Sequence, residues 1–259
     1  MKREVVDLYT YPVKGLNGQL IEAAEVGPER GFPADRWFAL ATREGGYTTI
    51  KDRPLPSWDF HSLTNAPRLA GVRVELAGGR LVFRVAGRIV LDACPDDPDD
   101  VREIENLFAR VLDLDEDQRP FLARSEPGRF NYNYTASVSP ELTWACHLIN
   151  LASVRDLEQK TGAQIDPLRF RANLYVDLGT PWLERDLIGR ELQIGDVRAR
   201  IQSGTARCAA TEVNLTNARR DVPVPRLLKR QLGDVDMGVY CTFLTDGTVK
   251  RGAPIEVLS

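Results

Sequence analysis

The chain has 259 residues, enough for one large domain or two ordinary ones with a substantial core. Hydrophobic residues make up 43% and charged residues 27%, a composition that excludes a disordered polar chain. Lys plus Arg (34) and Asp plus Glu (37) nearly cancel to a net charge of −3, which gives no reason to expect nucleic acid or an anionic membrane as a partner.

The first residues, Met1 to Asp7, carry no apolar leader core, and no stretch has the length of apolar sequence that spans a bilayer. Val5 to Tyr9 reads as a strand ended by Pro12, and Asp35 to Leu40 as another, with Arg36, Phe38 and Leu40 on one phase of the two-residue period. An arginine on that phase needs a carboxylate or a bound anion beside it. Val72, Val74 and Leu76 alternate with Arg73 and Glu75. Turns at Gly78-Gly79 and Gly87-Arg88 then make an antiparallel meander through Leu81–Val85 and Ile89–Leu91. The acidic run Asp96 to Asp100 suits the start of a helix whose apolar stripe is Val101, Ile104, Leu107, Phe108 and Val111. Residues 113–141 are rich in charge, Pro, Ser and Asn and read as a boundary or long loop.

Trp144 to Ile149 follows as a buried strand. Ser153 looks like the cap of a helix that Gly162 closes. Arg171, Asn173 and Tyr175 share one face of a further strand, and Val197, Ala199 and Ile201 alternate with charged residues in the next. Pro223 to Leu232 suggests a short amphipathic helix. Tyr240 faces away from Met237, Val239, Cys241 and Phe243, and Val249 to Val257 closes the sequence as turn and strand. Many short strands with few short helices predict a mainly β, barrel-like fold, α+β overall. The expected division is 1–115 and 116–259.

The four cysteines, Cys94, Cys146, Cys208 and Cys241, contain no C-x-x-C pair, which disfavours a zinc ribbon, a thioredoxin motif or a ferredoxin-type cluster. Free thiols without a leader fit a reducing cytoplasm. Cys208 stands apart. It follows Arg207 in a run of small residues, Ser203-Gly204-Thr205-Ala206, where a cation favours thiolate and small neighbours admit a bulky ligand. The same cysteine also reads as a small apolar core residue. Cys94, Cys146, Cys241 and His147 read as structural.

Several motifs occur in a set order: Tyr11-Pro12-Val13-Lys14-Gly15, Gly31-Phe32-Pro33-Ala34-Asp35-Arg36-Trp37, His147 to Ser153, Arg169-Phe170-Arg171-Ala172-Asn173, Arg207-Cys208, Gly238-Val239-Tyr240 and Val249 to Pro254. This series resembles the MOSC family, named for the C-terminal domain of molybdenum cofactor sulfurase, with its N-terminal β-barrel companion. Relatives include bacterial MOSC proteins and the mitochondrial amidoxime-reducing component. The resemblance implies a molybdenum cofactor of the molybdopterin type between the two domains, with Cys208 as the metal's thiolate ligand and catalytic centre. It implies that Lys14, Arg36 and Arg171 hold the phosphate and pterin, with Asn173 at the pterin edge. Thr143, Arg207 and Tyr240 would complete the cofactor site. Each has a plainer reading: Lys14 as a turn lysine, Arg36 as the partner of a carboxylate, Arg171 and Asn173 as strand-end groups, Tyr240 as packing.

Two departures stand out. Gly15 occupies a position where reductase relatives often carry serine, and Ala172 replaces a common proline. Pyridoxal phosphate belongs to the wider family by association only and is not expected here. The implied activity is an oxidoreductase that reduces N-hydroxylated small molecules with electrons from a separate protein. A sulfur carrier using a Cys208 persulfide, and a non-catalytic anion-binding module, remain the alternatives.

Overall fold

The computed structural model describes residues 3–42, 59–124, 130, 142 and 144–258. The chain opens with β1 (Glu4–Thr10), β2 (Gln19–Ile21) and β3 (Ala23–Val26), then β4 (Phe38–Ala41). The expected strand at Asp35 to Leu40 begins later than its alternation suggested. Asp35, Arg36 and Trp37 form a turn, with Arg36 at φ 53°, so Arg36 does not share a strand face with Phe38 and Leu40.

The meander is β5 (Val72–Ala77), β6 (Arg80–Val85) and β7 (Arg88–Ala93), paired in that order. Helix α1 (Pro98–Leu112) lies against it, and Phe108 meets Phe83 edge-on at 5.5 Å. Asp97 caps α1 by accepting the Asp99 and Asp100 N–H groups at 2.9 and 3.2 Å, which satisfies two otherwise orphaned donors. Within the expected loop, β8 (Phe121–Arg124) pairs with β4.

The remaining strands are β9 (Cys146–Asn150), β10 (Leu174–Asp177), β11 (Glu191–Ile194), β12 (Val197–Ala206), β13 (Asp236–Phe243), β14 (Gly247–Lys250) and β15 (Ile255–Val257). Between them lie α2 (Leu151–Thr161), α3 (Leu183–Asp186) and α4 (Val224–Leu232). Helix α2 starts two residues before the expected cap region. Asn150 is its cap, accepting the Ala152 N–H at 3.2 Å, while the Ser153 hydroxyl is engaged by Glu184 and the Trp182 N–H. Gly162 closes the helix as expected, at φ 71°.

Eight strands form one sheet in the order β15-β11-β12-β13-β9-β10-β1-β2. Among the described residues β9 and β10 are the one parallel pair of this sheet, joined by the α2 crossover. The fold is mainly β, α+β overall; among the described residues the sheets curve in a barrel-like way without closing into one ring. Sheet membership cuts across the 115/116 division. Strands β1 and β2 pair within the sheet built from the second half, and β3 pairs with β14. In the other direction, Val213 is fully buried in the core of the first half, with Val13, Leu16, Leu63 and Leu69. Cys146 and Cys241 face each other across β9 and β13 in the main core, both buried and free.

Candidate functional site

A cavity of about 200 Å³, open to solvent, lies where the two halves meet. Its walls come from the Lys14-Gly15 turn, Arg36, the Ser62–Thr64 turn, Arg169 to Arg171, the end of β12 through Cys208, and Tyr240. The sequence places these groups through backbone irregularities. Strands β12 and β13 slip register between Ile201 and Ser203 and again between Gly204 and Ala206, which bends β12 and delivers Arg207-Cys208 to the rim. Arg171 sits at φ 53° after the short turn Pro167–Phe170, ahead of β10 rather than within it. Arg171, Asn173 and Tyr175 therefore do not share one strand face. Gly238 lies at φ 73°, and a Cβ there would stand 2.4 Å from the Leu148 carbonyl oxygen and 2.8 Å from His147 Nε2. Only glycine lets β13 pass this close to the site.

Five cations surround the space: Arg169, which is paired with Asp221 at 2.7 Å, and the four others, Lys14, Arg36, Arg171 and Arg207. Lys14 donates to the Phe130 carbonyl at 3.1 Å. Burial pushes its ammonium down to about 8, Arg36 and Arg171 add to the effect, and Cys208 opposes it. Arg36 and Arg171 both approach the ring of Tyr11, at 5.4 and 4.6 Å from its centre. Burial also lowers Arg171 to about 10, with Arg36 adding and Tyr11 opposing. Arg36 is instead raised: burial acts against it, but Asp35, Tyr11 and Tyr240 outweigh the loss. Among the described residues, its contact with Asp35 is the only ion pair made by these four cations. One carboxylate leaves an excess of desolvated positive charge, which a structural salt-bridge network would have cancelled.

Arg207 does not aim at the thiol. Its Nε donates to Met237 O at 2.8 Å and its Nη1 to Phe170 O at 3.1 Å, while Nη2 reaches Met237 O and His147 Nε2. Arginine only donates, so His147 Nε2 is the acceptor and the imidazole is neutral. Burial, then Arg207 and Arg36, hold His147 well below its ordinary value. His147 lines the cavity, a place its position in an apolar strand did not reveal. Its ring also lies 5.7 Å from that of Tyr240.

Asn173 lies beneath the cavity with its amide committed to protein. Nδ2 donates to Asp35 Oδ1 at 3.0 Å and Tyr9 O at 3.1 Å, and Oδ1 accepts the His147 N–H at 3.1 Å. In this structure Asn173 orients Asp35, and through it Arg36. Cys208 is exposed, which overturns its reading as a core thiol. Thr64 Oγ1 stands 3.5 Å from its sulfur. Thr205, 4% exposed, has a hydroxyl without a partner among the described residues and lines the same cavity. Thr143 lies outside the described residues. Sequence reasoning also missed Tyr11, Tyr175, Thr64 and Thr205. Asp35 and Tyr11 stood inside the quoted motifs, whereas nothing local marks Thr64, which arrives only by tertiary packing.

Two family models match the chain: the MOSC N-terminal beta barrel domain over residues 2–105 and the MOSC domain over residues 136–256. The chain belongs to the MOSC family. A molybdenum cofactor sulfurase of Drosophila mojavensis is 32% identical over 105 residues, 40% of this chain and 13% of that protein. Its counterpart in Drosophila willistoni is 33% identical over 100 residues, 38% of this chain and 12% of the relative. The match thus spans only about an eighth of these curated relatives. The YuaD protein from Bacillus subtilis superposes over 99% of this MOSC chain and 96% of its own, at 14% identity and a TM-score of 0.45. YiiM from Geobacillus stearothermophilus covers 45% and 54%, at 17% identity and a TM-score of 0.34.

Proposed function

We propose that this MOSC protein binds a molybdopterin-type molybdenum cofactor in the cavity and uses it to reduce N-hydroxylated small molecules. One observation carries the reading: an exposed thiol at the rim of a cavity lined by five cations, of which only Arg36 and Arg169 have carboxylate partners among the described residues. That donor set fits the group. Lys14, Arg36 and Arg171 match a phosphate-bearing anion, the orphan hydroxyl of Thr205 lacks the partner a pterin edge or phosphate would give it, and a lone soft sulfur suits a metal whose other ligands come from the cofactor. Among the described residues no three His, Cys, Asp or Glu side chains gather as a metal cage, so Cys208 is the candidate protein ligand here. When bound, the cofactor would supply a two-electron redox centre able to take up the substrate's oxygen.

The protein's own part is positioning and charge. Arg36 is held by Asp35, which Asn173 holds in turn, so one cation is fixed before any ligand arrives. Arg207 ties the Phe170 carbonyl, at the end of the Pro167–Phe170 turn, to the Met237 carbonyl of β13, and so fixes the backbone that leads into Cys208. Tyr240 and neutral His147 form an aromatic wall that adds no charge against the metal. The reductase would draw electrons from a separate donor protein and would work in the cytoplasm, a compartment that keeps free thiols reduced.

Exposure of Cys208 also suits a persulfide carrier, in which the sulfur is handed to an acceptor rather than bound to metal. Elemental analysis separates the two. Protein purified gently from a cofactor-competent host should hold near-stoichiometric molybdenum, and Cys208→Ser should lose it. Metal-free wild type carrying cyanide-labile sulfur on Cys208 would refute the reductase in favour of the carrier.

A further inference from the structure

The turn that carries Cys208 belongs to the second half of the chain, yet Thr64, whose hydroxyl lies 3.5 Å from its sulfur, belongs to the first. Something must hold these two segments in register. The Thr64 turn is stiff by itself: Asn65 Oδ1 accepts the Ser62 N–H at 2.7 Å, and Asn65 Nδ2 donates to Phe60 O at 3.0 Å. The Cys208 turn is closed by Thr211, whose N–H and hydroxyl both donate to the Cys208 carbonyl, at 3.1 and 2.9 Å. Neither set of bonds crosses the seam.

Arg220 does. Its Nη2 donates to Thr64 O at 2.8 Å and to Leu63 O at 3.3 Å, while Nη1 reaches Ala209 O and, at 3.4 Å, Glu212 Oε2. One guanidinium thus joins two carbonyls of the first half to a carbonyl and a carboxylate directly after Cys208. The next residue is anchored as well: Asp221 accepts from Arg169 Nη2 at 2.7 Å and from Asn214 at 2.6 Å. A planar fork with five donors can span such a set; a single ammonium cannot.

We propose that Arg220 is a positioning residue for the cavity. It latches the Ser62–Asn65 rim onto the Cys208 turn, so that the first half of the chain forms a fixed wall beside the thiol. The function of that wall rests on the cofactor reading above, but the latch is tested on metal-free protein, so failure of either is seen separately. The competing account is that burial of Val213 in the first half's core docks the loop without help from Arg220.

Site-resolved hydrogen exchange decides between them. Metal-free wild type, Arg220→Gln, Arg220→Lys and the neighbouring control Arg219→Ala are exchanged at fixed pH, and protection is read peptide by peptide by mass spectrometry. The Asn65 and Ala66 amides, bonded to Ser62 O, and the Thr211 amide, bonded to Cys208 O, report the two sides of the seam. Freeing the rim should raise their exchange about tenfold in Arg220→Gln, the scale expected for losing charge-assisted bonds to several carbonyls. Arg220→Lys should recover only part of the protection, and Arg219→Ala should match wild type. Peptides covering the Cys146–Cys241 pairing of β9 and β13 report global loosening and should stay protected throughout. Unchanged exchange at both sides of the seam in Arg220→Gln, full protection by lysine, or a parallel rise in β9 and β13 would each overturn the latch.

Discussion

Replacing Lys14 by methionine should stabilise the ligand-free protein at pH 7 while removing its response to anions. The Lys14 ammonium is desolvated and faces Arg36 and Arg171, which brings it from its ordinary 10.5 down to about 8. That gap is worth about 3 kcal/mol at ~1.4 kcal/mol per pH unit. Relaxation of the site and loss of the contact to the Phe130 carbonyl reduce what the variant recovers to roughly 1–2 kcal/mol. The sign follows from proton counting. Below about 8 both folded and unfolded chains hold the proton, and the folded one bears the full desolvation cost. Between about 8 and 10.5 the unfolded chain binds a proton that the folded chain has released, so wild-type stability rises with pH across this window. The advantage of Lys14→Met should therefore be largest at pH 7 and shrink toward pH 10. Urea unfolding of both proteins at pH 7, 8.5 and 9.5 measures it, with the difference between them cancelling the other titrating groups. Inorganic phosphate at tenfold its dissociation constant should add about 1.4 kcal/mol to wild type at pH 7 and far less to the variant. A stability difference that stays constant from pH 7 to 9.5 would show that Lys14 is not a desolvated cation and would remove the physical basis for an anion cradle.

Three further outcomes test the scaffold around the site. Asn173→Ala should cost about 2 kcal/mol in urea unfolding, because it removes the partner of the buried His147 N–H and of the Tyr9 carbonyl and leaves Asp35 Oδ1 with the Tyr11 N–H alone. Ala172→Pro should cost about 1 kcal/mol through loss of the N–H that Tyr175 Oη accepts at 3.1 Å, and that cost should shrink in a Tyr175→Phe background, where the acceptor is already gone. Gly15→Ser should destabilise by roughly 1–3 kcal/mol, since Gly15 lies at φ 89° and a Cβ would stand 3.2 Å from both His61 O and Ser62 Cα; a lowered melting temperature without a gain in phosphate affinity is expected.

Local chemistry made much of the fold readable before any coordinates. The meander from Val72 to Leu91 declared itself because its alternation and its Gly-Gly turn are both short-range signals, and Asp97 to Asp100 marked a helix start because a capping carboxylate acts within three residues. The errors share one cause. The two-residue spacing of Arg36 to Phe38 and Leu40, and of Arg171 to Asn173 and Tyr175, puts both arginines on strands, but both sit in the left-handed region, which spacing does not encode. Ser153 looked like a cap, yet its hydroxyl is claimed by Glu184, thirty-one residues away. The cavity residues that motifs carried, Lys14, Arg36, Arg171 and Cys208, do come together. Thr64, which only packing supplies, did not announce itself, and His147, although it opens a quoted motif, reads as structural from its apolar neighbours.

The two family models meet the chain as successive segments, but the structure weaves those segments together. Strand β10, which follows Asn173, lies between β9 of its own half and β1 from the opposite end of the sequence. Val5 and Leu8 share a core with Leu148, Leu174 and Val239, while Val213, five residues after Cys208, is buried among residues of the first half. Three parts of the cavity wall are therefore set by contacts across the seam: Arg36 through Asp35 to Asn173, Lys14 beside Arg171, and Thr64 against Cys208. An anion cradle built this way exists only in the intact chain, because each half supplies cations that the other half holds in place. The excess positive charge has the same logic. A protein selected for stability alone would neutralise desolvated cations with nearby carboxylates. Here one carboxylate fixes Arg36 and a second pairs with Arg169, while among the described residues Lys14, Arg171 and Arg207 are held by neutral acceptors alone.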